Sequence, residues 1–295
     1  MVQDKVEGFF NYINERHQIY LRRENGLHPP WTEDKILKTY SFCNVFRELD
    51  TVTEWVRTNW REPYFDHPNL AFSMSVARQI NWPSTLEEIG FPEDWQPEKV
   101  KAIMQDRMDR GLKVYTGAYM LTGTLGGTKI EQTVDKILTP LYNNHPEIVS
   151  SSLEETWKNY LPYAGFSGFM SYEVVTDLRH THLLRNARDI YTWANPGPGA
   201  KRGLNRMNLR TLTWDSNKHD WNAEMFELLK MADKYLEPHV PNLEMREIEH
   251  SLCEFDKYSR IYKGEGRTRS IFKPSDLPII EDCGSNGESN YDIRG

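Results

Sequence analysis

The sequence predicts a mainly α fold of two lobes, and three observations carry that prediction. An apolar stripe at spacings of three and four opens the chain, helix-capping residues punctuate it from end to end, and the rhythm breaks only over 113–127, where at most a short β-hairpin fits. With 295 residues there is enough chain for one large or two small cores. No repeat and no long linker interrupts it. Residues 1–270 are therefore expected to form one compact helical domain, with lobes of about 1–150 and 151–270, and 271–295 an irregular tail.

Taken in order, residues 3–24 place Val6, Phe9, Phe10, Ile13, His17 and Tyr20 on one face of an amphipathic helix that Gly26, Pro29 and Pro30 end. Thr32 is suited to cap a second helix, with Glu33 and Asp34 in its first turn, running to about Leu49. Asp50 or Thr51 caps the next, which Pro63 stops. Ser84 to Glu87 fits a capping box, Gly90 a C-terminal stop and Pro97 the first position of a helix to Arg110. Further helices are expected at 128–143, 152–162, 168–184, 221–236 and 245–259.

Composition narrows the function. The formal net charge is −7, from 36 Lys and Arg against 43 Asp and Glu, so a general nucleic-acid coat is excluded and any such contact needs a local basic patch. Cys43, Cys253 and Cys283 are widely separated and form no CxxC pair, which excludes a zinc ribbon or a four-cysteine cluster; no metal and no cofactor are expected. A reducing compartment, the absence of a long apolar run and an N-terminus without a signal-peptide core point to a cytoplasmic protein with no membrane partner, expected as a monomer. Nine Trp, fifteen Tyr and twelve Phe, interleaved with Arg and Asn, suit a pocket that stacks on a planar ring as well as ordinary core packing.

The most informative segment is Gly197-Pro198-Gly199-Ala200-Lys201-Arg202. A Gly-x-Gly turn that opens a helix, with the hairpin at 196–200, lets bare backbone N–H groups approach a phosphate. The helix dipole and the cations Lys201, Arg202 and Arg206 add attraction. A plain turn between helices is the competing reading. Three other signals fail: Gly126-Gly127-Thr128-Lys129 has the wrong order for a P-loop, His180 and His182 face different ways on a helix, and Cys43, with Phe42 and Val45 to either side, reads as a buried, inert thiol.

The turn resembles the Gly-x-Gly element of helix-hairpin-helix DNA glycosylases. The wider chain resembles the alpha-glutamyl/putrescinyl-thymine pyrophosphorylase family, whose helical domain also accompanies 5-hydroxymethyluracil DNA kinases. Four blocks carry the likeness: Glu15 to Arg23; Pro30 to Asp50; Glu173 to Leu178 with Trp193 to Leu204; and Leu252 to Tyr258 followed by Gly264 to Arg267. The resemblance implies a helix-hairpin-helix DNA-glycosylase-like fold and a substrate of DNA carrying bulky 5-modified pyrimidines, flipped out of the stack for the reaction. Carried onto the blocks, it implies substrate contacts from Arg16, His17, Arg22, Trp31, Tyr40, Asn44, Arg47, Asp177, Lys257 and Tyr258. It implies DNA-backbone contacts from Gly197, Gly199, Ala200, Lys201, Arg202, Arg206 and Arg267. The chain departs from the glycosylase pattern past the hairpin, where only Asp215 and Asp220 stand near the expected catalytic aspartate.

The residues themselves point the same way. Arg16, Arg22, Arg23, Asn44, Arg47, Glu48 and Asp50 crowd beside aromatics, which suits a wet cleft better than a packing face. Glu254 lies one turn from Tyr258, either as a general acid or base or as an ion-pair partner of Arg16 or Arg47. The first expectation is a glycosylase that excises the modified base, with Asp50, Glu48, Glu254 or Asp256 stabilising the cationic sugar or activating water. The second is a transferase that couples an amino acid or polyamine to a phosphorylated 5-hydroxymethyluracil, with Arg16, Arg22 and Arg47 neutralising the leaving phosphate. The third is a non-catalytic reader of modified bases.

Overall fold

The computed structural model describes residues 1–116, 125–213, 219–265 and 271–272, and these are mainly helical. Among them there is no strand, only an isolated antiparallel bridge between Tyr40 and Ile271. Most of the expected hairpin at 113–127 lies outside the described residues, as do Arg267, Asp215 and the tail beyond 272. No helix among the described residues is long and apolar enough to cross a membrane.

The chain forms two compact units. Where the sequence places lobes at 1–150 and 151–270, the contacts divide it differently: Met1–Asp50 returns to pack with the described part of Asp189–Asp276, and Thr51–Arg188 forms the other unit. The physical reason is the apolar stripe of the first helix, which is buried against helices near the C-terminus rather than against its sequence neighbours.

The first unit holds α1 (Gln3–Glu24), α2 (Lys35–Thr39), α11 (Pro198–Met207), α12 (Trp221–Tyr235) and α13 (Met245–Tyr262). Phe9, Phe10 and Ile13 of α1 are fully buried with Leu204, Met225 and Leu252, and the Phe10 ring stacks on Tyr235 with centroids 5.3 Å apart. α11 lies against α13 in close approach. A Cβ at Gly199 would stand 2.4 Å from Cys253 Sγ, and one at Gly203 would stand 2.6 Å from the Leu252 carbonyl oxygen.

The second helix is much shorter than expected. Asp34, not Thr32, caps it, its Oδ1 accepting from the N–H groups of Ile36 and Leu37 at 2.8 and 2.9 Å. It ends at Thr39, and Arg47–Leu49 forms only a 3-10 turn. The polar groups of 40–50 find partners outside a helix: the Cys43 N–H donates to Glu254, and the Asn44 side-chain amide donates to the Leu49 carbonyl.

The second unit contains α3 (Thr51–Val56), which continues as a π turn to Arg61, then α4 (Leu70–Ile80), α5 (Pro83–Ile89) and α6 (Pro97–Asp109). Next, α7 (Lys129–Glu131) runs through a π-helical stretch into α8 (Thr139–Tyr142), followed by α9 (Leu153–Tyr160) and α10 (Gly168–Arg179). The capping box expected at Ser84–Glu87 does not form, because Pro83 already occupies the first helical turn and Trp82 is the N-cap. Thr128 and Glu131 form one instead. Asp177 of α10 and Arg78 of α4, each 1% exposed, make a bidentate pair with both bonds at 2.5 Å.

Candidate functional site

In the first unit, the loop 40–50 is pinned to α1 and α13 by polar side chains. Arg16 of α1 donates to the Asn44 side-chain oxygen at 2.7 Å and to the Phe42 carbonyl at 3.1 Å. Asn44 in turn gives both its backbone N–H and its side-chain NH₂ to Asp50 Oδ1 at 3.1 Å. From α13, Glu254 Oε2 accepts the Cys43 N–H at 3.0 Å, and Lys257 Nζ donates to the Ser41 carbonyl at 2.6 Å while lying 4.6 Å from the Phe42 ring centre. One turn on from Glu254, the Tyr258 hydroxyl donates to Asp34 Oδ2 at 2.6 Å. The sequence-predicted residues Arg16, Asn44, Asp50, Glu254, Lys257 and Tyr258 are thus brought into one network.

Burial governs the electrostatics of this network. It pushes the Asp50 carboxyl above the usual carboxylate range, while the charges of Arg47 and Arg16 and the hydrogen bonds from Asn44 pull it back. The Cys43 thiol is raised by burial and then by the Glu254 and Asp50 carboxylates. His17, 4% exposed, is held down to about 4 by burial, then by His239 and Arg16, so its ring is neutral at pH 7. That ring packs against Tyr20, Phe46 and His239. Arg47 and Glu48 sit half-buried in the 3-10 turn.

Two hollows flank this network. The first, of about 430 Å³, is walled by Trp31, Tyr40, Phe42 and Phe272, with Arg16 and Lys38 contributing cations. Arg22 supports it from behind, donating to the Trp31 carbonyl at 2.5 Å, and Phe272 meets Trp31 edge to face. The second, of about 450 Å³, is lined by Tyr12, Asp34, Phe255 and Tyr258 among others. Phe42, Lys38 and Phe272 escaped the sequence reading, since nothing in their spacing sets them apart from core or surface residues.

The hairpin residues have other partners. The Gly197 N–H donates to Glu249 Oε1 at 3.2 Å, so a carboxylate of the chain itself sits at the start of α11 where a phosphate was expected. Gly199 and Ala200 are buried, and Gly199 serves the approach to Cys253. Asp256, 1% exposed, accepts from Arg202 Nε at 2.9 Å and Arg206 Nε at 2.7 Å, and Arg206 also bonds Glu265. These three expected site residues therefore clamp α11 to α13, and the paired charges explain their burial. Lys201 lies 5.9 Å from the Trp221 ring centre. Asp220, one of the two aspartates past the hairpin, caps α12 by accepting from the Ala223 N–H at 3.0 Å. Asp177 belongs to the other unit, where its carboxylate is taken by Arg78.

Among the described residues, one set of side chains offers metal-ligand atoms. Those of Cys43, Asp50 and His250 lie within 4.8 Å of one another, all half-buried.

Residues 3–268 match the family described as 5-hmdU DNA kinase, helical domain. A 5-hmdU DNA kinase of Bacillus phage SP10 is 27% identical over an alignment of 295 positions that covers 87% of this chain and 45% of that protein. The chain spans less than half the length of that curated relative. No solved structure matches. Because the matched segment runs from the start of α1 past the end of α13 and takes in both compact units, the chain belongs to the family of 5-hmdU DNA kinase helical domains.

Proposed function

We propose that this chain receives a 5-hydroxymethylated or further modified pyrimidine of phage DNA and takes part in group transfer at its 5-substituent. The observation that carries the reading is the composition of the hollow of about 430 Å³: flat aromatic walls, the cations Arg16 and Lys38, and no carboxylate among its described lining residues. A pocket of this size and lining suits a planar ring, and a base reaches it only when flipped from the stack. The two cations suit a phosphate on the 5-substituent, through charge-assisted hydrogen bonds.

The same composition argues against excision. Stabilising an oxocarbenium-like sugar calls for a carboxylate at the reacting carbon, and Asp256, one candidate for that task, is clamped between Arg202 and Arg206. The family match gives the glycosylase expectation no support, and the relative's name is that of a kinase. In the proposed reaction either the 5-methylene oxygen bonds the terminal phosphorus of ATP and the diphosphate leaves, or an amine nitrogen bonds the 5-methylene carbon and the phosphate on that carbon leaves. The proton released passes to water.

The test is incubation of DNA containing 5-hydroxymethyluracil, or its 5-phosphate ester, with the chain and either ATP, a mixture of small amines, or neither, followed by nucleoside mass spectrometry. A mass change confined to the modified nucleoside is expected, lost in Arg16→Ala and Trp31→Ala. Alkali-labile abasic sites would establish excision instead. Tight binding with no mass change under any condition would leave a reader of modified bases, and either outcome overturns group transfer.

A further inference from the structure

We infer that Cys43, Asp50 and His250 form a binding site for a divalent transition ion of the zinc class, with the fourth coordination position open. Three different donor types, a thiol sulfur, a carboxylate oxygen and an imidazole nitrogen, converge within 4.8 Å. Mixed sulfur, nitrogen and oxygen donors select a borderline-soft ion over magnesium or calcium, which prefer oxygen alone. In a tetrahedral site with ligands at about 2.0–2.3 Å the donors stand roughly 3.3–3.8 Å apart, so the set needs to close by only about 1 Å.

The surroundings are those of a prepared site. Asp50 is oriented by two hydrogen bonds from Asn44, and Asn44 is itself held by Arg16 at 2.7 Å. The Cys43 backbone is fixed by Glu254, one turn along α13 from His250. Such outer partners set ligand orientation and commonly change affinity by about 10–100-fold when removed. On binding, the Cys43 S–H bond breaks, the sulfur–metal bond forms and the proton goes to solvent. Phe42, next in sequence to Cys43, walls the hollow of about 430 Å³, so an ion here sits beside it along the chain. The inference stands on the three ligands alone and does not depend on the DNA reading.

The experiment titrates the full chain, in a Cys253→Ser/Cys283→Ser background that leaves Cys43 as the sole thiol, with Co²⁺. One equivalent is expected to bind with a thiolate-to-cobalt charge-transfer band that Zn²⁺ displaces. Cys43→Ser should abolish the band, and His250→Ala and Asn44→Ala should each weaken binding by about 10-fold or more. As a check without substitutions, Zn²⁺ should slow alkylation of Cys43 in the wild-type chain, read by peptide mass spectrometry. An absent band, a band that survives Cys43→Ser, unchanged affinity in His250→Ala, or alkylation of Cys43 indifferent to Zn²⁺ would overturn the assignment.

Discussion

Replacing Gly203 by alanine puts the packing of α11 on α13 to a direct test. In an ordinary helix interior this substitution stabilises by about 1 kcal/mol, because glycine has the greater freedom to lose. Here the new Cβ would stand 2.6 Å from the Leu252 carbonyl oxygen and 3.3 Å from its carbonyl carbon, both backbone atoms that no rotamer change can move. To restore contact α11 must retreat by about 0.8 Å, opening the buried contacts around Leu204 and Leu252, and overpacking of this kind costs up to about 3 kcal/mol. The net loss is about 2 kcal/mol, a fall in the thermal midpoint of about 4–8 °C. Gly8 of α1 supplies the control, since its nearest neighbour to an added Cβ is Phe255 Cζ at 3.9 Å; Gly8→Ala should raise the midpoint. Thermal unfolding followed by circular dichroism measures both, and a Gly203→Ala protein as stable as Gly8→Ala would refute the close-packing account.

Asp177→Asn should destabilise the chain by about 3–5 kcal/mol in urea denaturation, because it leaves the buried guanidiniums of Arg78 and Arg61 beside a neutral partner; unchanged stability would contradict the pairing. Stability should also carry two opposed pH dependences. Burial lifts the Glu247 carboxyl to about 7 from 4.5, so its contribution is complete below pH 4.5 and is lost as pH rises to about 7, spanning roughly 3 kcal/mol at about 1.4 kcal/mol per pH unit. His17 acts in the other sense: its depressed value of about 4 means stability is present above pH 6.5 and lost as pH falls toward 4. The two slopes offset each other between about pH 4.5 and 6.5. Glu247→Gln should therefore make stability fall steeply on acidification there, and an unaltered pH profile in that variant contradicts the burial argument. Arg16→Ala should weaken DNA binding more for a phosphorylated 5-hydroxymethyl base than for thymine, measured by fluorescence anisotropy; equal losses would argue that Arg16 only holds the loop 40–50.

The sequence by itself determined the helical class, the span of α1, the stop at Gly90 and the start of α6, because caps, prolines and the 3.6-residue period are local signals. It also carried the polar blocks from which Arg16, Asn44, Asp50, Glu254, Lys257 and Tyr258 were drawn. Tertiary structure alone decided where the second helix ends, since the groups that satisfy residues 40–50 come from α1 and α13, more than 200 positions away in the second case. It decided too that Gly199 and Gly203 are packing residues and that Asp256 is a clamp. A glycine beside a helix reads alike whether a phosphate or a neighbouring helix approaches it, and only the fold says which. The Cys43, Asp50 and His250 set has no spacing signature for the same reason: its members meet only when α13 folds back over the loop that follows α2.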